Sequence, residues 1–134
     1  MEERRISKEY EEIAKEVINK EPSLRTIRNS NANIVYLLSD KEKKSKGGVI
    51  FAQCEKIPDK FKGWATDADY AIVIFEPNCE GFTRKQKEIL MHHELLHINI
   101  KTGKDGEEKY SLRPHDYEDF KEIIDRFGTD WCNR

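Results

Sequence analysis

Met91-His92-His93-Glu94-Leu95-Leu96-His97-Ile98 is the stretch on which the reading of this chain turns. It contains His93-Glu94-x-x-His97, the HExxH spacing. On an α-helix, residues four apart share a face, one turn above the other. Both imidazoles then reach one metal ion from one side, and Zn²⁺ accepts such nitrogens in a tetrahedral shell. Glu94 leans toward the same region. It is poorly aimed to be a third ligand from the same turn and well placed to take a proton from a zinc-activated water. The plainer alternative is a histidine pair on a surface or in a satisfied core. The chain has only four histidines, and three of them, His92, His93 and His97, fall within six residues. Their flanks (Leu90, Met91, Leu95, Leu96, Ile98) are apolar, where imidazoles cost free energy unless paired or ligated. Metal binding by His93 and His97 is therefore expected.

Just upstream, Thr83-Arg84-Lys85-Gln86 has the form of a capping box, so the metal helix is expected to run from about 84 to 101, ended by Gly103 and Gly106. Before it, Tyr70 to Phe75 (YAIVIF) is apolar throughout, as a central strand covered on both faces would be. Ile34 to Leu38 and Val49 to Cys54 read as two further strands, joined by a charged hairpin loop, Ser39 to Gly48. Residues 55–69 form a connection broken by Pro58 and Gly63. Phe61 and Trp64 in it are expected to tuck under the sheet, with lining of a substrate groove as the lesser alternative.

At the N-terminal side, Ile6, Tyr10, Ile13, Ala14, Val17 and Ile18 make one helical stripe over 6–18, with Ser7 as cap and Pro22 as stop. After the metal helix, Lys109 to Arg113 is a short extended piece. Tyr117, Phe120, Ile123, Ile124 and Phe127 then mark a closing helix, with Gly128 at its C′ position.

Length and composition bound the rest. At 134 residues one domain over 1–134 is expected, large enough to bury a core without disulfide staples. The net charge of −2 gives no electrostatic reason to expect a nucleic acid partner. Cys54, Cys79 and Cys132 are odd in number and widely spaced, which argues for a reducing, cytoplasmic setting and against thiolate-held zinc. The N-terminus lacks an apolar secretory core, and no apolar run approaches a membrane span.

A catalytic zinc site usually has three protein ligands and an open position. His115, 18 residues after His97, is the remaining histidine and the favoured third ligand. Asp116, Glu118 and Asp119 are carboxylate alternatives. His92 points about 100° away from His93 around the helix and is not expected to share the metal. Tyr110, Arg113 and Tyr117 are candidates for stabilising an oxyanion.

The runs DADYAIVIFEPN, TRKQKEILMHHELLHI and RPHDYEDFKEIIDRFG, in that order, resemble the Putative phage metallopeptidase family, and Lys46 to Ile57 is similar too. The resemblance covers about residues 33–128. It implies that His93, His97 and His115 ligate zinc and that Glu94 is the catalytic base. It also implies a minimal zincin-like α+β fold: about three strands, the HExxH helix beneath them, and flanking helices at either end. SprT-like proteases share the plan but commonly add a Cys-rich zinc ribbon, which this chain lacks, and with it the ground for a DNA-directed role. The expected activity is zinc-dependent hydrolysis of a peptide or protein, held in extended form along an exposed sheet edge. The alternative is a non-catalytic, zinc-stabilised module that docks to a host or phage protein.

Overall fold

The computed structural model describes residues 2–45 and 48–113. The chain forms β1 (Arg4–Ile6), α1 (Lys8–Lys20), a 3₁₀ turn (Pro22–Leu24) that runs into the short α2 (Arg25–Arg28), and β2 (Ile34–Ser39). A small β3 (Lys44–Ser45) and β4 (Gly48–Val49) follow, then β5 (Ala52–Lys56), β6 (Tyr70–Phe75), α3 (Arg84–Leu95), β7 (Ile98–Thr102) and β8 (Glu108–Leu112). The fold class is α+β.

β6 is the hub. All six of its residues are buried. Tyr70, Ile72 and Ile74 join the core that Ile13 and Val17 of α1 and Leu90, Met91 and Leu95 of α3 complete. Ala71, Val73 and Phe75 are buried on the opposite pleat, as alternation along a strand requires. Each fully buried Ile or Leu contributes about 1.5–3 kcal/mol relative to exposure. An apolar run without alternation is thus the signature of a strand covered on both faces.

The sheet order is β1-β2-β6-β5, with β2 and β6 parallel and the other neighbours antiparallel. This corrects two expectations. The sheet has four strands, because Arg4–Ile6 adds an edge. β2 and β5 are not a hairpin pair either, since β6 lies between them. The lysine-rich connection instead carries its own small β3–β4 ladder.

Local chemistry sets the helix starts. Ser7 Oγ accepts from Tyr10 N at 3.1 Å and caps α1, which ends at Lys20 just before Pro22. Thr83 and Gln86 form the expected capping box: Gln86 N donates to Thr83 Oγ1 at 3.2 Å, and Thr83 N donates to Gln86 Oε1 at 2.8 Å. The end of α3 departs from expectation. The helix stops at Leu95, with Leu96 as its C-cap, and Ile98 opens a strand. Residues 98–102 alternate, Ile98 and Ile100 buried and Lys101 and Thr102 exposed by the end, a period of two that a helix cannot use. Gly103 and Gly106 therefore turn a hairpin rather than end a helix, and Gly106 takes φ +82°, open to glycine at no steric cost.

Phe61 and Trp64 are not under the sheet. Phe61 is 37% and Trp64 77% exposed on the β5–β6 connection. The expected closing helix, with Tyr117, Phe120, Ile123, Ile124 and Phe127, lies outside the described residues. Among the described residues no helix is long and apolar enough to cross a membrane.

Candidate metal centre

His93 and Glu94 occupy the last turn of α3, both buried, and His97 follows two residues after the helix ends. The HExxH geometry nonetheless survives. Leu96 N donates to His92 O and His97 N donates to Glu94 O, each at 3.1 Å. The second is an i to i−3 bond that tightens the final turn and keeps His97 beneath it. One potential ligand atom from each of His93, Glu94 and His97 lies within 4.8 Å of the other two. His93 Nε2 stands 3.9 Å from Glu94 Oε2, and the two imidazole centroids are 5.5 Å apart.

The β7–β8 hairpin fixes the His97 ring. Arg113 N donates to His97 O at 2.7 Å, and His97 Nδ1 lies 2.8 Å from Arg113 O. A carbonyl can only accept, so Nδ1 carries a proton, and in the neutral ring the lone pair is on Nε2. A histidine held this way is pre-set as an Nε2 ligand, the usual role of the outer partner at a metal site. Tyr70 anchors the hairpin from β6: its hydroxyl donates to Ser111 O at 2.8 Å and lies 3.2 Å from Asn99 O. Burial pushes its phenol up to about 12, so the hydroxyl stays a donor.

Two imidazole nitrogens and a carboxylate oxygen, converging at these separations, fit a divalent metal ion. The other sequence candidates fall elsewhere. His92 is buried on the far side of the helix, with Nε2 3.2 Å from Ser23 Oγ in the turn after α1. The Tyr110 hydroxyl donates to Glu108 Oε1 at 2.6 Å, and its ring meets Tyr70 edge-on at 5.8 Å. Arg113 acts on the site through its backbone. His115, Asp116, Tyr117, Glu118 and Asp119 lie outside the described residues.

Two neighbours carried no sequence signal. The Arg113 backbone pairs with His97 only because the hairpin folds back, a contact that no residue type encodes. Cys54 of β5 stands close enough to Glu94 to feel its charge; burial first, and that charge second, push its thiol pKa up.

The site is thus a His–Glu–His cluster that could hold a metal ion, set at the end of one helix in a small α+β protein. The Putative phage metallopeptidase family matches residues 3–134, and the chain belongs to that family. Membership places it among metallopeptidases, which act on proteins or peptides with the help of a metal. No curated protein and no solved structure matches it.

Proposed function

We propose that the chain is a zinc-dependent peptidase, in which His93, His97 and His115 hold the metal and Glu94 is the general base. The observation that carries this reading is the convergence of His93, Glu94 and His97, with the His97 tautomer set by Arg113. When bound, zinc supplies Lewis acidity to a water and to the scissile carbonyl. Glu94 accepts the proton from the attacking water and returns it to the leaving amine. The Arg113 carbonyl holds the His97 ring against rotation throughout. His115 completes the ligand set from the segment just after β8, and residues 1–134 act as one domain. Three cysteines, odd in number and widely spaced in the sequence, are the ground for placing it in the cytoplasm.

The substrate is an extended polypeptide that adds to the outer edge of β5. Phe75 N donates to Phe51 O and Ile57 N donates to Asp69 O, both at 2.9 Å. In an antiparallel ladder, bonded and non-bonded pairs alternate. The odd positions of β5 therefore bond to β6, and Ala52, Cys54 and Lys56 turn their N–H and C=O groups outward. α3, whose last turn carries Glu94, packs against β5, and Cys54 is the central one of these outward-facing positions. A peptide paired there brings a carbonyl to the catalytic carboxylate.

Zinc analysis of the purified full chain, combined with Glu94→Gln, tests the proposal. Stoichiometric zinc is expected in both proteins and hydrolysis of denatured protein in the wild type only. Loss of zinc in Glu94→Gln, or equal hydrolysis by both proteins, refutes the assigned role.

A further inference from the structure

Among the described residues, five large apolar side chains are exposed, and Trp64 is the most open at 77%. Leaving an indole in water forfeits one of the largest apolar burials available to a chain. Its surroundings hold it there. Gly63 takes φ +90°, a conformation that costs a glycine nothing, and Ala65 N and Thr66 N both donate to Phe61 O, at 3.0 and 3.2 Å. Trp64 Nε1 donates to Lys60 O at 2.6 Å, so the polar edge of the indole is satisfied within the loop. The Phe61 ring stands 6.2 Å away at a tilt and extends the apolar surface. The base of the loop is tied down by Lys62, whose ammonium pairs with the buried Asp69 carboxylate. A loop built only to cross from β5 to β6 needs none of this. A rigid aromatic surface whose hydrogen bonds are already made is an anchor site for an apolar side chain.

Its place in the chain says whose side chain that is. Ile57 is the last rung of β5 on β6, and the 3₁₀ turn Asp59–Phe61 follows at once. Along the strand, Ile57 lies about 10 Å beyond Cys54, at roughly 3.4 Å per residue. A peptide added antiparallel to β5 runs the other way, so its N-terminal part lies at the loop end. From these observations we propose that Trp64 and Phe61 form a specificity subsite, which receives a large apolar or aromatic side chain about three to five residues N-terminal to the scissile bond. The proposal rests on the peptidase reading and names the substrate feature that the site selects.

The test uses the full chain in two arms. In the first, the zinc-loaded wild type, Trp64→Ala and Trp64→Phe digest a proteome-derived peptide library, and the cleavage sites are read by mass spectrometry. The wild type is expected to enrich Phe, Tyr, Trp, Leu or Met upstream of the cut. Trp64→Ala should lose that enrichment at least several-fold, and Trp64→Phe should recover part of it. In the second, Glu94→Gln with and without Trp64→Ala is applied to arrayed decapeptides, so that binding is read without turnover. Apolar-bearing peptides are expected to lose about tenfold in affinity with Trp64→Ala, as a modest hot spot would. Cleavage by the wild type with the same profile in Trp64→Ala overturns the subsite and leaves the peptidase reading standing. Trp64-dependent binding without cleavage upholds the subsite and sinks the peptidase reading. Neither cleavage nor Trp64-dependent binding overturns both.

Discussion

Tyr70→Phe is the sharpest probe of how the fold holds the candidate site. The substitution deletes one oxygen and leaves the ring, so the edge-on contact with Tyr110 at 5.8 Å is retained. It removes the donor to Ser111 O at 2.8 Å, beside Asn99 O at 3.2 Å. Tyr70 is fully buried, so water does not readily replace the lost donor. The Asn99 and Ser111 carbonyls keep their β7–β8 ladder bonds, so the loss is that of the hydroxyl's own bond. A net hydrogen bond is worth about 0.5–1.5 kcal/mol, and that is the expected loss. For a chain of this length it corresponds to a fall in Tm of roughly 2–6 °C, interpolating between smaller and larger domains. The hairpin also carries His97 and its Arg113 partner, so metal affinity should fall as well. That fall should be smaller than the 10–100-fold (roughly) seen when a direct partner of a metal-bound histidine is removed. Thermal unfolding of the metal-free protein and titration against a competing chelator measure the two effects separately. A Tm within about 1 °C of wild type would show that the hydroxyl does not anchor the hairpin, since even the low estimate predicts more.

Three further outcomes follow from the same structure. His92→Ala should keep full metal stoichiometry yet lose roughly 1–3 kcal/mol of stability, because it empties a buried position and removes the bond to Ser23, whereas His93→Ala should lose the metal; equal metal loss in both would misplace the site. Ser7→Ala and Thr83→Ala should each cost about 1 kcal/mol in urea unfolding with unchanged m-value, as lost N-caps do; no change for either would mean the cap is made by other groups. Stability should also decline in alkali. Burial raises Tyr70 to about 12, and Tyr10 and Tyr36 further in the same direction. Their protonated forms are held only in the folded state, so this contribution is intact below about pH 10, where unfolded tyrosine titrates, and is lost as pH rises toward the folded values. Denaturant midpoints between pH 9 and about 11.5 read this directly, and a flat profile would contradict the burial of these phenols.

What the sequence disclosed and what it hid divide along physical lines. Buried strands and capped helices announce themselves because their signals are local. YAIVIF needs no partner to look like a doubly covered strand, and the Thr83–Gln86 box is written within four residues. Pairing is not local. Nothing in IVYLL or AQCEK says that a third strand inserts between them, because sheet order is decided by how α1 and α3 cover β6. β1 was missed for a related reason: Ile6 fits the spacing of the α1 stripe but lies before the helix, in an exposed edge strand with its side chain 68% in water, where no hydrophobic period marks a strand. The overlong helix came from a genuine ambiguity. Leu95, Leu96, Ile98 and Ile100 satisfy a helical spacing up to the point where alternation takes over, and the switch falls within the HExxH stretch itself. The site geometry outlived that error, because the spacing from His93 to His97 asks only that one turn be preserved, and the bond from His97 N to Glu94 O preserves it. The strand that begins at Ile98 then does what a continued helix could not. It leads the chain out and back so that Arg113 meets His97 and fixes its ring, which places the end of the helix among the features that shape the candidate metal centre.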